Sequence, residues 1–422
     1  MTAVHPARNA VPDVTIIGAG IIGTCCALEL QARDLSVSII DRGGPGDATS
    51  FGNAGIISPW SCVPQAMPGV WKSVPKWLLD REGPLSVRFR SNPDLLSWAA
   101  RFLANTRLSR VHAISDAMDM LMRGNVQSYR AYLKGTGRED LIRDSWFISV
   151  YRGNAKADLD DLGWRLKIDR GASVEIVNGK DLRKMEPALS SEFGQAIVQK
   201  GQSRTTNPGE LCKVLVGKAQ RHGALLIRCD VKGLKPEEDG TIKLETSSGN
   251  VSAKKVVLCG GVWSTELLKG LGVKLPLVSE RGYHLEFADP GVSLNNSILD
   301  VVGKFIISSM ENGVRSAGMS EFAHVNEPPN YRRADILAPM SKRLVPRLNT
   351  EHARRWVGSR PSFPDNLPVI GEVPEIRNLY VAFGHSHYGL GMGPATARLL
   401  SESVLGTASN ADRSAVSVER FR

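Results

Sequence analysis

The sequence predicts a two-domain protein that combines an α/β domain with an α+β domain built on an antiparallel sheet. At 422 residues, the chain exceeds the length that one hydrophobic core usually serves. Its N-terminal part has the pattern of a strand, a helix and a second strand, which is a βαβ unit. Residues 283–319 have the texture of an antiparallel sheet, with alternating apolar and polar side chains.

The βαβ unit is defined by three short segments. Residues 14–17 form an apolar run typical of a buried strand, and residues 21–33 have helical spacing. A second apolar strand at 37–40 ends at Asp41. Residues 43–75 are then rich in Gly, Pro, Ser and Asn, which predicts a long ordered loop in place of another βα repeat.

The antiparallel sheet is indicated by alternation and by a turn signal. From Tyr283 to Phe287 apolar and polar residues alternate, and Asn312-Gly313 is a strong hairpin signal. The small, polar tail from Gly406 is expected to fray. Further helices are predicted at 95–103, 118–133, 159–170, 208–222 and 394–405, and further strands at 172–177, 224–228, 242–246, 255–258, 304–308, 314–319 and 379–383.

The composition is that of a folded protein, and its charge pattern disfavours nucleic-acid binding. The formal net charge is +10, but the basic residues are scattered, which favours a solvated surface over nucleic-acid binding and leaves peripheral attachment to an anionic membrane surface open. No apolar run approaches the roughly 20 residues that span a bilayer, and no export signal is recognisable, so we expect a cytoplasmic protein. The six cysteines lack the spacing of a metal site, and no metal is predicted.

A glycine-rich turn follows the first strand. The segment Gly18-Ala19-Gly20-Ile21-Ile22-Gly23 lies between that strand and the first helix, where a GxGxxG pattern binds the pyrophosphate of a dinucleotide. The helix N-terminus adds unpaired N–H groups and a positive dipole end. Asp41, 18 residues after Gly23, can accept hydrogen bonds from a ribose diol and repels a 2′-phosphate, which disfavours NADP.

Further segments favour FAD over NAD. Residues 48–55 are dense in small side chains and in hydroxyl and backbone donors, which can run along an extended cofactor. The apolar strand near residue 257 runs into Gly260-Gly261, and a glycine-rich turn from Gly384 to Gly393 leads into a helix. The N-terminus of that helix can favour the negative charge that reduction places near flavin N1. NAD enzymes have no need of this element.

With these motifs, the chain resembles the D-amino-acid dehydrogenase and glycine oxidase family of FAD-dependent amine oxidoreductases. The segments that carry the resemblance are Ala48 to Pro59 (ATSFGNAGIISP), Trp356 to Gly371 (WVGSRPSFPDNLPVIG) and Gly384 to Thr396. They are much more specific than the GxGxxG pattern, and the resemblance covers nearly the whole chain. The likeness to bacterial D-amino-acid dehydrogenases is greatest between Thr49 and Pro59.

The resemblance implies a discontinuous two-domain fold, with an α/β FAD-binding Rossmann-like domain and an α+β substrate domain that contains the antiparallel sheet. We expect the FAD-binding domain in residues 1–90, 190–275 and 345–422, and the substrate domain in residues 91–189 and 276–344. Besides the GxGxxG residues and Asp41, the expected FAD contacts are Arg42, Thr49, Ser50, Asn53, Ala54, Gly55, Ile56, Val231, Gly260, Gly261, Trp263, His387, Tyr388, Gly389, Leu390, Gly391 and Met392.

The implied reaction oxidises an amino acid by hydride transfer from Cα to flavin N5, and the imino-acid product is hydrolysed to a 2-oxo acid. This chemistry needs orientation more than acid–base catalysis, so no catalytic acid or base is assigned. Orientation requires a cation for the substrate carboxylate, ideally a bidentate arginine. The Arg-Pro motif of the family gives this role to Arg360, whereas Arg281 and Arg315 are expected to be solvated sheet residues.

Four other residues are candidate substrate contacts. His387 stands where glycine-oxidase-like relatives have a second arginine, a departure that weakens the expected grip on the carboxylate. His385 and His387 flank the flavin turn, and either can contact the flavin or the substrate. In the antiparallel sheet, alternation lets only one of Tyr283 and His284 point into the pocket.

The leading hypothesis is therefore an FAD-dependent D-amino-acid dehydrogenase that passes electrons to a quinone or another carrier, with D-proline or a hydroxyproline epimer as a candidate substrate. A second hypothesis is a glycine- or sarcosine-type amine oxidase that uses O2 directly. A third, from another class, is an RNA-associated flavoprotein, because the chain is basic and related domains occur in tRNA-modifying enzymes. The oligomeric state and the mode of flavin attachment stay open.

Overall fold

The computed structural model describes residues 11–88, 94–407 and 412–422. The α-helices are α1 (Ile21–Gln31), α2 (Val74–Leu79), α3 (Leu95–Ala104), α4 (Leu108–Met122), α5 (Asn125–Leu133), α6 (Leu162–Ile168), α7 (Gly179–Met185), α8 (Pro208–Arg221), α9 (Ser264–Lys269), α10 (Arg332–Asp335), α11 (Leu337–Leu344) and α12 (Gly389–Leu405). The strands are β1 (Val14–Ile17), β2 (Val37–Asp41), β3 (Ile56–Ile57), β4 (Leu85–Val87), β5 (Ile142–Arg152), β6 (Val174–Asn178), β7 (Phe193–Thr205), β8 (Leu225–Arg228), β9 (Val231–Pro236), β10 (Ile242–Thr246), β11 (Gly249–Ala253), β12 (Val256–Leu258), β13 (Val278–Phe287), β14 (Ser297–Asp300), β15 (Phe305–Met310), β16 (Gly313–Phe322), β17 (Arg354–Ser362), β18 (Val369–Glu372) and β19 (Leu379–Phe383).

The first sheet has six strands in the order β18-β19-β12-β1-β2-β8. Its strands are parallel except β18, which is antiparallel to β19. Ile16 and Ile39 belong to the apolar core formed with α1, α8 and α12, whereas Ile17 and Ile40 belong to a second core that includes the three-stranded sheet β11-β10-β9. Burial on both faces explains why these strands are continuous apolar runs.

The second sheet has ten strands and is largely antiparallel. Its main order is β17-β13-β16-β15-β14-β5-β7-β3, with β4 paired to β16 and β6 paired to β7. A hairpin joins β15 to β16 where the sequence predicts one, with Glu311-Asn312 as its loop and Gly313 paired to Met310. The two sheets confirm the predicted combination of a parallel α/β region with an antiparallel sheet. The division of the chain into two domains at the ranges given above stays a prediction.

The loop after β2 connects the two sheets. It leaves the first sheet at Asp41, but its strand β3 pairs with β7 of the second sheet, with Ile56 opposite Arg204 and Ile57 opposite Ser203. The expected long loop at 43–75 therefore contains a strand of the second sheet, and α2 begins at Val74, near its end. As a result, the loop is held at both ends by regular structure.

Other predicted elements differ from the observed ones. The predictions miss β5 and β7, strands of 11 and 13 residues, because buried polar residues interrupt their apolar pattern. The helix expected at 118–133 is two helices separated at Gly124, which has a φ of 70°. Helix α12 begins at Gly389, five residues before Pro394. The prediction of a frayed tail is wrong for residues 412–422, since Val416 and Val418 are buried there.

Candidate active site

A cavity of about 630 Å³ lies at the carboxyl ends of the parallel strands. The turn after β1, the end of β2 and the residues after β8, β12 and β19 line one part of it. In an open parallel sheet this edge is where ligands usually bind. The cavity continues to β7, β13, β16 and β17 of the second sheet, so residues from both sheets line one space.

Most of the predicted site residues line this cavity. Those that do so are Gly18, Gly20, Ile21, Ile22, Asp41, Arg42, Thr49, Ser50, Asn53, Ala54, Ile56, Val231, Gly260, Gly261, Trp263, Tyr283, Arg360, His385, His387, Tyr388, Gly389, Leu390 and Gly391. Those that do not are Ala19, Gly23, Gly55, Met392 and His284. The cavity thus gathers segments that are up to 373 residues apart, from Gly18 to Gly391. The contact of each residue with a cofactor or a substrate stays a prediction.

The turn after β1 is shaped by close backbone contacts. Gly18 has a φ of +114°, and a Cβ there would lie 2.5 Å from the carbonyl oxygen of Cys259. A Cβ on Gly23 would lie 2.0 Å from the carbonyl oxygen of Gly18. Gly18 therefore permits the turn, and Gly23 lets α1 pack against it, which is why Gly23 supports the cavity without lining it.

Asp41 and Ser50 fix the start of α1. Asp41 accepts hydrogen bonds from the backbone N–H groups of Ala19 and Gly43 at 2.6 and 2.8 Å. The Ser50 hydroxyl accepts a hydrogen bond from the N–H of Ile21 at 3.0 Å, which satisfies one of the unpaired donors at this helix end. The predicted ribose acceptor and a predicted cofactor contact thus also hold the turn in place.

The loop at 48–55 is held by the second sheet. Arg315 donates hydrogen bonds to the carbonyl oxygens of Phe51 and Asn53 at 2.7 and 2.6 Å, and Thr49 donates to the carbonyl of Ser359. Arg315 also forms an ion pair with Glu286 and is only 3% exposed. The expectation of a solvated side chain is therefore wrong for Arg315, because its partners lie in the loop.

Arg281 is also buried, at 2% exposure. It forms an ion pair with Glu321 and donates hydrogen bonds to the carbonyl oxygens of His324, Glu327 and Pro328. The expectation of a solvated residue is wrong here as well. Buried arginines of this kind organise backbone carbonyls and are expected to be structural.

The N-terminus of α12 faces the cavity through Tyr388, Gly389, Leu390 and Gly391. Pro394 lies inside this helix and has no N–H to donate to the carbonyl of Leu390. The buried hydroxyl of Tyr129 donates to that carbonyl instead, at 2.6 Å. This substitution for a missing backbone bond lets the helix extend past Pro394 toward the cavity.

Arg360 has one edge in an ion pair and the other edge at the cavity. Its Nη1 donates to Glu280 at 2.8 Å, and Glu280, 1% exposed, also accepts hydrogen bonds from the hydroxyls of Ser320 and Ser362. Burial by itself would raise the pKa of Glu280, but the charge of Arg360 and the two hydroxyls outweigh burial and lower that pKa. Glu280 is therefore ionised and neutralises Arg360.

The second edge of Arg360 lies over Gly282, and both residues line the cavity. A Cβ on Gly282 would lie 2.1 Å from Nη2 and 2.7 Å from Nε of Arg360. Among the described residues, neither of these nitrogens has a protein acceptor. Two adjacent N–H groups are thus available for a carboxylate in the fork geometry that arginine provides.

The two histidines of the C-terminal turn are neutral. His385 is buried and its Nε2 lies 2.9 Å from the hydroxyl of Thr396, and burial lowers its pKa to about 3. Burial also lowers the pKa of His387 to about 4. His387 is exposed at the cavity wall, and the charge of Glu280 opposes the lowering of its pKa in part. Neither histidine is a cation for an anionic substrate at neutral pH.

Tyr283 and His284 point to opposite faces of β13, as alternation requires. Tyr283 lines the cavity, and its hydroxyl donates to Glu321 at 2.5 Å. His284 stacks on Trp356 with ring centroids 4.7 Å apart, and its Nδ1 lies 3.3 Å from the carbonyl oxygen of Gly52. The ring of Tyr283 packs in the core on one face of β13, whereas His284 shares the other face with Glu280 and Gly282, where Arg360 lies, and helps to hold the loop.

The cavity also contains polar residues that sequence reasoning missed. Lys167 lies on α6, and Gln199 and Gln202 lie on β7, beside Ser58 at the end of β3. Because β7 was absent from the predicted elements, its glutamines had no place near the loop. Lys167 falls in a predicted helix, but no pattern distinguishes it from other lysines. The pairing of β3 with β7 brings Ser58 to Gln199, and the packing of α6 beside β7 brings Lys167 there.

The lining fits an extended dinucleotide cofactor. Gly18, whose Cβ would fill the turn, and the N-terminus of α1 form one end, where phosphates bind in this geometry. The loop at 48–55 and the N-terminus of α12 line the cavity further on. The residues that would hold FAD therefore form one continuous surface, with Arg360 beyond it.

Comparisons with known proteins agree with this site. The sequence pattern of the family described as "DAO: FAD dependent oxidoreductase" matches residues 13–403. The chain is 33% identical to "D-amino-acid oxidase" of Bradyrhizobium diazoefficiens over 93% of this chain and 95% of that protein. It is 29% identical to "D-amino acid dehydrogenase" of Rhizobium rhizogenes over 97% and 99% of the two chains.

A solved structure has the same fold. The glycine oxidase from Geobacillus kaustophilus superposes with a TM-score of 0.72 at 22% identity, covering 97% of this chain and 99% of that one. The family match extends over most of the chain and includes the GxGxxG turn, Arg360 and the start of α12. The chain therefore belongs to the DAO family of FAD-dependent oxidoreductases.

Proposed function

We propose that this enzyme oxidises a D-amino acid. The observation that carries the proposal is the free edge of Arg360, which shares a cavity with the GxGxxG turn and the N-terminus of α12. The preference for the D-enantiomer is supported by the names of the two relatives, which are a D-amino-acid oxidase and a D-amino acid dehydrogenase.

In this proposal the protein binds and orients the substrate. Arg360 holds the α-carboxylate with Nη2 and Nε, while Glu280 fixes its other edge. FAD bound there would supply the hydride acceptor, so that Cα loses a hydride and the amine nitrogen loses a proton as the C–N bond becomes an imine. Both His385 and His387 are neutral at pH 7, so they add no positive charge beside the substrate amine.

An anaerobic substrate screen tests the proposal. Matched D- and L-amino acids are mixed with the FAD-loaded protein, and bleaching of the oxidised flavin band is recorded. We expect bleaching by at least one D-amino acid and much slower bleaching by its L-enantiomer. Faster bleaching by the L-enantiomers, or none by any amino acid, contradicts the proposal.

We further propose a dehydrogenase that passes its electrons to a quinone at the inner face of the cell membrane. In the described part of the chain, no helix is long and apolar enough to cross a bilayer. However, six of the 13 large apolar side chains that are exposed there fall within residues 71–108, among basic residues such as Lys76 and Arg101. Such a surface suits peripheral contact with anionic lipid. The six are Trp71, Leu78, Leu79, Leu96, Leu103 and Leu108.

Two measurements test this acceptor. Flotation with anionic vesicles is expected to carry the wild-type protein upward and to be reduced by Leu79→Glu, but not by Leu225→Glu, whose leucine is 49% exposed outside this segment. Stopped-flow reoxidation of the reduced enzyme in air separates the dehydrogenase from an O2-dependent amine oxidase. Slow reoxidation by O2 and fast reoxidation by a soluble quinone are expected, and the reverse order favours the oxidase.

A further inference from the structure

Lys167 is a cation at the cavity wall that forms no ion pair with a described carboxylate, although Asp161 acts on it from a greater distance. Its Nζ donates to the side-chain oxygen of Gln199 at 3.2 Å and lies 4.3 Å from the centre of the Trp164 ring. Among the described residues, no carboxylate oxygen lies within 4.0 Å of it. Lys167 nevertheless lines the cavity, so its charge is available to a bound molecule.

Lys167 is held in place by a short polar network. Gln199 is 1% exposed, and its amide nitrogen donates to Ser58 at 3.1 Å and to the side-chain oxygen of Gln202 at 2.8 Å. These contacts orient the amide so that its oxygen faces Lys167. Because the Gln199 amide is buried and hydrogen-bonded through both its nitrogen and its oxygen, it fixes the position of the Lys167 ammonium group. As a neutral group, it does not cancel the charge of Lys167.

The charges along the cavity are unevenly distributed. Its lining contains two carboxylates, Asp41 and Asp230, and both lie at the edge of the first sheet. The part formed by the second sheet and α6 contains Lys167, Lys304 and Arg360 and no lining carboxylate. Glu280 neutralises Arg360 in part, and Asp161 and Asp300 act on the lysines without an ion pair among the described residues, so part of the lysine charge remains for a substrate.

We infer that the substrate is an acidic D-amino acid, whose α-carboxylate binds Arg360 and whose side-chain carboxylate binds Lys167. This inference rests on the proposed oxidation of a D-amino acid. A side-chain carboxylate supplies the contact ion pair that Lys167 lacks and can also accept a hydrogen bond from Lys304, which lines the same cavity. A neutral side chain such as that of D-proline leaves Lys167 desolvated and unpaired, which is costly.

The protonation of Lys167 is consistent with this role. Burial lowers its pKa to about 8, because the charged form loses more hydration than the nearby charge of Asp161 recovers. The group is still mostly protonated at pH 7. A bound carboxylate favours the ammonium form, so binding of an acidic substrate is expected to raise this pKa.

The test compares D-glutamate with its near-isostere D-glutamine on the FAD-loaded protein under anaerobic conditions. D-Aspartate and D-2-aminoadipate are included to vary the distance between the two carboxylates. We expect kcat/KM for the best acidic substrate to exceed that of its amide by at least about 30-fold. Lys167→Met is expected to reduce this ratio by a similar factor, whereas Lys167→Arg retains most of it.

A matched control is Lys156→Met, which removes an exposed lysine before α6 and is expected to leave the ratio unchanged.

Binding without turnover gives a second readout. Glutarate is expected to stabilise the wild-type protein against thermal unfolding more than butyrate, and this difference should be lost in Lys167→Met. Bleaching by neutral D-amino acids but not by acidic ones overturns the inference. No bleaching by any amino acid overturns the proposed function instead, and equal effects of glutarate and butyrate overturn the site itself.

Discussion

Replacement of Arg360 by methionine is expected to cause two separable losses, because the two edges of its guanidinium group have different partners. The first edge neutralises Glu280, and the second edge is proposed to hold the substrate carboxylate. Glu280 is 1% exposed, so removal of its cation leaves a buried charge. The first loss is therefore a loss of stability, and the second is a loss of substrate affinity.

The structure allows a magnitude for each loss. Breaking a buried ion pair by removing one partner costs about 3–5 kcal/mol, and we expect the lower value because Ser320 and Ser362 still donate to Glu280. Loss of a buried bidentate carboxylate contact costs about 2–5 kcal/mol, which raises KM at least about 30-fold. A second substitution, Glu280→Gln, removes the buried charge and is expected to restore stability but not KM.

Stability is measured by urea unfolding followed through tryptophan fluorescence, and KM by steady-state assay with the D-amino acid found in the screen. Flavin absorbance after gel filtration reports the FAD content. The matched control is Arg355→Met in the same strand, because the ion pair of Arg355 with Asp335 is 54% and 44% exposed and is worth about 1 kcal/mol or less. We expect no change in KM in this variant.

An unchanged KM in Arg360→Met contradicts the assignment of the free edge of Arg360 to the substrate carboxylate. So does recovery of KM together with stability when Glu280→Gln is added. The second outcome would mean that Arg360 acts only through the ion pair. Loss of FAD with normal folding would instead place Arg360 in the cofactor site.

Three further predictions concern the rest of the site. Buried His385 is expected to lower the free energy of unfolding by about 2 kcal/mol between pH 7 and pH 5. The reason is that the unfolded residue binds a proton near pH 6.5, whereas the folded residue does so only near pH 3. His385→Gln should therefore reduce the loss of stability with falling pH, as measured by urea unfolding. Tyr129→Phe is expected to cost about 1–3 kcal/mol by leaving the carbonyl of Leu390 without a donor, and to be partly rescued by Pro394→Ala, which restores a backbone N–H. Asp41→Ala is expected to weaken FAD binding about tenfold or more in a fluorescence titration, because two backbone N–H groups lose their acceptor.

Each of these has an outcome that contradicts it. An unchanged pH slope in His385→Gln would mean that other groups control acid unfolding. Additive effects of Tyr129→Phe and Pro394→Ala would show that the hydroxyl does not replace the missing N–H. For Asp41, the control is Asp239→Ala in an exposed turn, and equal FAD affinities of the two variants would remove Asp41 from the cofactor site.

The sequence predicts the cofactor end of the site better than the substrate end. The GxGxxG turn and Asp41 are local features: a strand, a turn and a helix follow one another within 28 residues, from Val14 to Asp41. Their geometry follows from backbone rules that act over short distances. For the same reason, the strands that enclose them were recognisable as apolar runs.

The substrate end depends on long-range pairing. Gln199 and Lys167 meet because α6 packs beside β7, and β7 contains polar residues that hide its strand pattern. The burial of Arg315 follows from a loop 262 residues away in sequence. Such contacts have no signature in the residues themselves, so the prediction of solvated arginines was wrong where tertiary structure provides carbonyl acceptors.

The short strand β3 has a thermodynamic consequence. It belongs to the loop that lines the cofactor end of the cavity, yet it pairs with β7 of the other sheet. Cofactor binding and the closing of this β-ladder are therefore linked equilibria, and linkage is reciprocal. If FAD tightens the pairing of β3 with β7 by some factor, then any change that loosens that pairing weakens FAD binding by the same factor. We expect bound FAD to stabilise the pairing of β3 with β7. The backbone amide protons of these two strands should therefore exchange faster with solvent when FAD is removed.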